Sequence, residues 1–124
     1  MMVLVDTDIL IEVSKGRNHD VLTKWKELLE SRVLVFYTPI TAAELWGGIF
    51  HHEQKALKAL LDGLECVPLD YETGYIAGRY LKQYRKSHGL ALGDALIAAA
   101  AVQNDAALWT RNRKHFPMKD LVPY

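Results

Sequence analysis

Met2-Val3-Leu4-Val5-Asp6-Thr7-Asp8-Ile9-Leu10-Ile11 is the stretch on which the reading of the fold turns. Met2–Val5 is apolar at every position, so it reads as a strand covered on both faces rather than a half-exposed one. Asp6 and Asp8 end it abruptly, and Asp8 to Lys15 reads as a helix closed by Gly16. A strand buried on both sides and leading straight into a helix is the opening of a parallel α/β unit.

The same alternation continues along the chain. Residues 20–31 carry Val21, Leu22, Trp25, Leu28 and Leu29 at helical spacing. Val33 to Tyr37 is β-branched and aromatic and reads as a second strand. Pro39 punctuates it, and helices are expected over 41–50 and 53–61. Glu65 to Leu69 is a third strand candidate. Asp70 caps a long helix ending at Gly89, with Gly74 and Gly78 four residues apart on it. Residues 94–103 form an Ala-rich helix, small enough in section to pack closely on a sheet. Ala107 to Thr110 is a fourth strand, and Leu121–Val122 a short fifth. Strands separated by helices imply parallel pairing through right-handed crossovers. The expected architecture is a three-layer α/β/α sandwich around a parallel sheet of about five short strands, with residues 1–124 forming a single domain.

Composition adds limits rather than a function. Lys plus Arg and Asp plus Glu are 15 each, so no global charge argues for a nucleic-acid partner and any such argument is local. One cysteine, Cys66, cannot form an internal disulfide, which favours a reducing, cytoplasmic setting. Met1 to Val5 is too short and too quickly acidic for a signal peptide, and the apolar run 95–102 falls far short of the ~20 residues of a membrane helix.

Sites in open parallel sheets form at the carboxyl ends of strands. Asp6, Thr7 and Asp8 follow the first strand there. Thr38 and Thr41 follow the second, with Glu44 one turn into the next helix. Thr110, Arg111 and Asn112 follow the fourth, and Asp94 opens the Ala-rich helix before it. Each residue also has an ordinary local reading. Asp6, Thr7, Asp8 or Asp94 can cap a helix. Thr41 and Glu44 have capping-box spacing, and Thr110 to Asn112 suits a turn. Caps, however, do not need carboxylates, and three of them at one sheet edge repel one another unless a cation intervenes. All-oxygen donors suit Mg²⁺, which keeps several waters and needs only one or two direct carboxylates. Such a site suits hydrolysis of a phosphodiester.

At these residues a family resemblance appears. Val3-Leu4-Val5-Asp6-Thr7-Asp8, Thr41-Ala42-Ala43-Glu44-Leu45-Trp46-Gly47-Gly48, Gly93-Asp94-Ala95-Leu96 and Trp109-Thr110-Arg111-Asn112 resemble, in order, the four motifs of PIN domains. The length is similar to that of VapC-like toxins of type II toxin–antitoxin systems. The resemblance implies an acidic Mg²⁺ or Mn²⁺ site, endoribonuclease activity, a cognate antitoxin and a homodimer. It matches Asp6, Glu44 and Asp94 to the family's acidic positions and Asn112 to one that is Asp in some members and Asn in many. Asp6 and Asp94 are then expected as metal ligands, and Glu44 as a holder of metal-bound water or a general base. Asn112 and Thr110 are expected to orient water and the Asp6 carboxylate, and Asp8 to cap the first helix.

Arg111, Arg113 and Lys114 follow the fourth strand at this edge and are the expected RNA contacts. Arg79, Lys82, Arg85 and Lys86 cluster on the long helix, where a solvated surface is the commoner explanation. Trp46, Ile49 and Phe50 are expected partly in the core and partly on a dimer or antitoxin face. His51 and His52 read as surface residues. Two other readings stand beside this one. A haloacid-dehalogenase-type phosphatase also begins with Asp-x-Asp and uses the first as nucleophile, but Asp94 has no acidic partner shortly after it. A decayed PIN domain acting as a binding module finds its only support in Asn112.

Overall fold

The structure, a computed structural model, describes residues 1–124. Its elements are β1 (Met2–Val5), α1 (Thr7–Lys15), α2 (His19–Glu30), β2 (Leu34–Tyr37), α3 (Pro39–Gly48), α4 (Gln54–Asp62), β3 (Glu65–Cys66), α5 (Tyr71–His88), α6 (Leu92–Gln103) and β4 (Ala107–Trp109). A 3-10 turn at His51–Glu53 precedes α4, and another at Arg113–His115 follows β4. All strands pair in parallel in the order β3-β2-β1-β4. The chain therefore steps outward from β1 through β2 to β3, then returns to the other side of β1. The gap between β1 and β4 is the point where the direction of winding reverses, and crevices for ligands open there.

Alternation along β1 builds the three layers. Leu4 points to a core made with α5 and α6, while Val3 and Val5 point to a second core with α1, α2 and α4. All three are fully buried, because both faces of the strand are covered. On the first side, Ala98, Ala99, Ala100 and Ala101 are also inaccessible. Four small residues in succession let α6 pack against neighbours all round, with α5 lying along it. Gly89, in the left-handed region at φ 61, ends α5. Only Gly89, Leu90 and Ala91 separate the two helices, so the last turn of α5 sits beside the first turn of α6.

Several expectations shift. The sheet has four strands rather than about five. Residues near the end add only an isolated bridge, Leu108 with Pro123, held by Leu108 N donating to Val122 O and Tyr124 N donating to Leu108 O. β3 shrinks to Glu65–Cys66, both exposed, because it is an edge with one neighbour. The helices α3 and α6 begin two residues earlier than their sequence signals suggested, at Pro39 and Leu92. The cap of α3 is Thr38, whose hydroxyl accepts from Thr41 N, and Ala91 takes the cap position of α6 with no side-chain bond. These two shifts release Glu44 and Asp94 from capping duty.

Tight packing around α6 predicts that Ala98→Leu lowers unfolding free energy by about 2 kcal/mol, read from the urea midpoint with unchanged slope. A loss under about 0.5 kcal/mol would mean that the helix has free space beside it.

Candidate active site

Asp6 stands at the end of β1, where its backbone N–H donates to the Trp109 carbonyl of β4 at 2.9 Å. That bond holds the residue at the reversal point. It is 7% exposed. Its Oδ1 accepts the Thr7 N–H at 2.8 Å, which makes it the cap of α1, and its Oδ2 accepts the Thr110 hydroxyl at 2.8 Å. The Thr110 oxygen in turn accepts the Asn112 N–H at 3.0 Å. Two strand ends thus fix the carboxylate in one orientation.

Asp8 does not cap the helix, since Asp6 already does. Its Oδ2 accepts from the Arg111 N–H and from Asn112 Nδ2, each at 3.0 Å. The Asn112 Nδ2 donor is therefore engaged by Asp8 and its backbone N–H by Thr110, while no hydrogen bond occupies its amide oxygen. Asp8 Oδ1 is buried with no partner. Glu44 accepts the Thr7 hydroxyl at 2.8 Å. A carboxylate only accepts, so the Thr7 proton points to Glu44 and the Thr41 hydroxyl, 2.9 Å away, donates to Thr7. Both threonines are buried, so this hydroxyl chain is a fixed support for Glu44. Asp94 lies in the first turn of α6, half-buried, with His115 Nδ1 at 3.7 Å from its Oδ2.

Electrostatics tie these groups together. Burial first, then the charges of Asp8 and Glu44, push the Asp6 carboxyl up to about 6. Asp94 is raised by burial and by Asp6 and Glu44, against the opposing influence of His115. Asp8 is raised by burial, against the Arg111 N–H and guanidinium. Mutual repulsion of this kind means that four acids from three helices and one strand end share a field. No group of three or more His, Cys, Asp or Glu side chains is set to ligate one ion directly. The donor set nevertheless fits a hydrated hard cation. All donors are oxygens, one buried carboxylate oxygen lacks a partner, and added positive charge would relieve the repulsion. Asp6 and Asp94 are the residues that would hold such an ion, with Glu44 reaching it through water.

Sequence reasoning missed two features. One is the Thr41–Thr7 relay, which only the packing of α1 against α3 creates. The other is Glu12, 7% exposed and gripped by Arg17 at 3.1 Å and Arg111 at 3.2 Å. Arg17 first, then Arg111, holds its carboxyl below the usual range. A charge inside the apolar run Ile9-Leu10-Ile11-Glu12-Val13, one turn after Asp8, was the available signal. Of the expected RNA contacts, Arg111 is thus engaged with Glu12. Arg113 donates to the Tyr124 carbonyl at 3.3 Å, and Lys114 is exposed without an ion-pair partner.

The model of the PIN domain matches residues 3–120. The chain belongs to the PIN-domain family. Membership removes the haloacid-dehalogenase alternative for Asp6-Thr7-Asp8. Named relatives of this PIN domain include ribonuclease VapC19 of Mycobacterium tuberculosis, 33% identical over 124 residues and covering 98% of each chain. Ribonuclease VapC1 of Methanocaldococcus jannaschii is 32% identical over 117 residues, covering 92% of this chain and 78% of its own. Among solved structures, FitAcB from Neisseria gonorrhoeae aligns with a TM-score of 0.77 at 27% identity, over 99% of this chain and 96% of that one. VapBC2 from Rickettsia felis, bound to a promoter DNA fragment, aligns at 0.83 over 100% and 98%. At 22% identity that likeness speaks for the PIN fold alone.

The raised Asp6 carboxyl has a signed consequence. Without metal, the folded chain binds a proton that the unfolded chain has released between pH 3.8 and about 6. Through that window Asp6 therefore costs stability as pH rises, by roughly 3 kcal/mol at most. In EDTA, Asp6→Asn is expected to flatten this part of the profile, and Mn²⁺ at pH 7 to raise the melting temperature of the wild type but not of the variant. Equal metal responses in both would remove Asp6 from the metal site.

Proposed function

We propose that this chain is a metal-dependent endoribonuclease that hydrolyses RNA phosphodiester bonds as the toxin half of a toxin–antitoxin pair. The observation that carries the proposal is the convergence of Asp6, Glu44 and Asp94 at one sheet edge, each raising or sharing the field of the others. The names of the relatives, ribonucleases throughout, support the substrate class.

A bound Mg²⁺ or Mn²⁺ would supply charge to offset that developing on the phosphate and would acidify water. The residues of the chain do the rest. Thr110 and the Thr7 N–H fix the orientation of the Asp6 carboxylate. The Thr7 hydroxyl holds one Glu44 oxygen, leaving the other to accept a proton from an attacking water. Asp94 completes the acidic rim. Asp8 anchors the loop after β4 and so keeps Thr110 in reach of Asp6. Asn112 acts here through Asp8 and Thr110, as a positioning group. A decayed site would have no use for this support, and buried like charges without a ligand only destabilise the fold.

The partner half of the proposal rests on an apolar groove between α1, α3 and α4, lined by Val13, Leu45, Ile49, Ala56, Leu57 and Leu60. Phe50, 68% exposed, stacks on His52 at the edge of this groove. We assign this groove to a segment of a cognate antitoxin, in keeping with the toxin–antitoxin complexes among the structural neighbours. A homodimer and a cytoplasmic location belong to the same proposal. No helix is long and apolar enough to cross a membrane.

Cleavage of a labelled structured RNA tests the proposal. Activity is expected with Mg²⁺ or Mn²⁺, none with EDTA, and a loss of at least about a hundredfold in Asp6→Asn. Equal activity of wild type and variant would identify a contaminant, and metal binding without cleavage of any RNA would refute the nuclease. Changing Arg113 and Lys114 together to Glu is expected to weaken RNA binding and reduce its salt dependence, as neutralised phosphate contacts do. An unchanged salt slope would clear both residues of RNA contact.

A further inference from the structure

Beyond Thr73, α5 carries Arg79, Lys82, Arg85 and Lys86 and not one acidic residue up to His88. All four cations are exposed and none has an ion-pair partner. Their helical positions explain why. The inner face of α5, with Thr73, Ala77 and Tyr80, is buried against α6; Lys82 and Lys86 fall on the opposite side and Arg79 and Arg85 on its two flanks, Arg79 also bordering a pocket with Val102 and Asp120. Tyr75 shares that outer side and is 49% exposed. Tyr75, Arg79, Lys82 and Gln83 together line an open groove on it.

The ridge runs toward the acidic site, its last cation, Lys86, lying two residues before His88. The last turn of α5 meets the first turn of α6, and a cleft there is lined by His88, Gly89, Leu90, Ala91, Asp94 and His115. Asp94 is thus shared between the acidic edge and the end of the ridge. From Arg85 back to Tyr75 the helix rises about 15 Å, enough for several nucleotides of an extended strand. Unpaired cations beside an exposed aromatic ring are the two elements of sequence-tolerant single-strand binding: phosphate neutralisation and base stacking.

We propose that the outer face of α5, from Arg85 to Tyr75, binds single-stranded RNA and leads it to the acidic site. The proposal deepens the ribonuclease reading and rests on it for the site that the strand reaches. Phosphates lie on Arg85, Lys82 and Arg79, and one base stacks on Tyr75. Asp94 at the cleft shares the field of Asp6 and Glu44, so a separate cationic surface is what draws a polyanion to their rim.

The test is anisotropy of a fluorescein-labelled 15-nucleotide single-stranded RNA, titrated with the full chain in EDTA across a salt series. Without metal the acidic edge repels RNA, so binding reports the cationic surface and not catalysis. Lys82→Gln with Arg85→Gln is expected to weaken binding about tenfold at low salt and to lower the slope of log affinity against log salt by about 1.4, two single-strand contacts' worth. Tyr75→Ala is expected to weaken binding without altering the slope. Lys26→Gln with Lys55→Gln, the same charge change on α2 and α4, is expected to alter neither. These exposed positions leave the core untouched, and an unchanged melting temperature verifies folding. Loss of slope in both double variants alike, no loss in either, or no binding by the wild type overturns the proposal. A change in sedimentation on altering Lys82 and Arg85, with RNA binding unmoved, assigns the face to a second copy of the chain and overturns it too. Binding through α5 with no cleavage in Mg²⁺ or Mn²⁺ refutes the ribonuclease reading instead, and leaves the face as an RNA contact that serves no nuclease.

Discussion

Carboxylates of like charge crowded at the end of β1 are the constraint around which the rest of the structure is arranged. Asp6 is buried beside Asp8 and within the field of Glu44, which pushes its carboxyl up to about 6. A buried acid in that position survives only if its oxygens are occupied and its geometry is enforced. The enforcement comes from the pairing of β1 with β4, which places Thr110 against one oxygen, and from the start of α1, which places the Thr7 N–H against the other. Because both supports come from the main scaffold, the repulsion is held in place rather than relaxed by movement. A cation would turn that stored repulsion into binding energy.

The supports around this point are themselves linked. Asp8 accepts from the loop that carries Thr110, and Thr7 both caps with its N–H and aims its hydroxyl at Glu44. Glu12, one turn further along α1, clasps Arg111 from the same loop and Arg17 from the end of the helix. One face of a nine-residue helix thus organises residues from α3 and from the segment after β4. The buried polar side chains are mostly threonines, whose hydroxyl both donates and accepts and so passes orientation from one carboxylate to the next.

Charge is neutral in sum and segregated in space. Assigning −3 to Asp6, Glu44 and Asp94 leaves +3 on the rest of the chain. Much of that excess lies on the outer face of α5, whose inner face is packed on the Ala-rich α6. The small residues of α6 therefore do two things at once. They let α5 lie close enough for its last turn to border Asp94, and they leave the cationic side of α5 facing outward.

Layer order and most elements were legible in the sequence because they rest on local periodicity and apolar runs, which burial on both faces of β1 demands. The acidic residues were legible too, since their positions at strand ends follow from the order of elements. Their roles were not. Thr41 and Glu44 have the spacing of a capping box, and Asp94 follows Gly93 like a cap; only the earlier starts of α3 and α6 free these side chains. Asn112 read as a partner of the Asp6 site; its backbone reaches Asp6 through Thr110, and the bond from its Nδ2 to Asp8 had no sequence signal. Glu12 gave a faint signal as a charge in an apolar run, and its two arginine partners gave none. The sequence by itself determined the identity and order of the parts, because those depend on neighbours along the chain. Tertiary structure alone decided which carboxylate meets which hydroxyl, because residues 34, 37 or 104 positions apart come into contact only when the sheet and its helices close around β1.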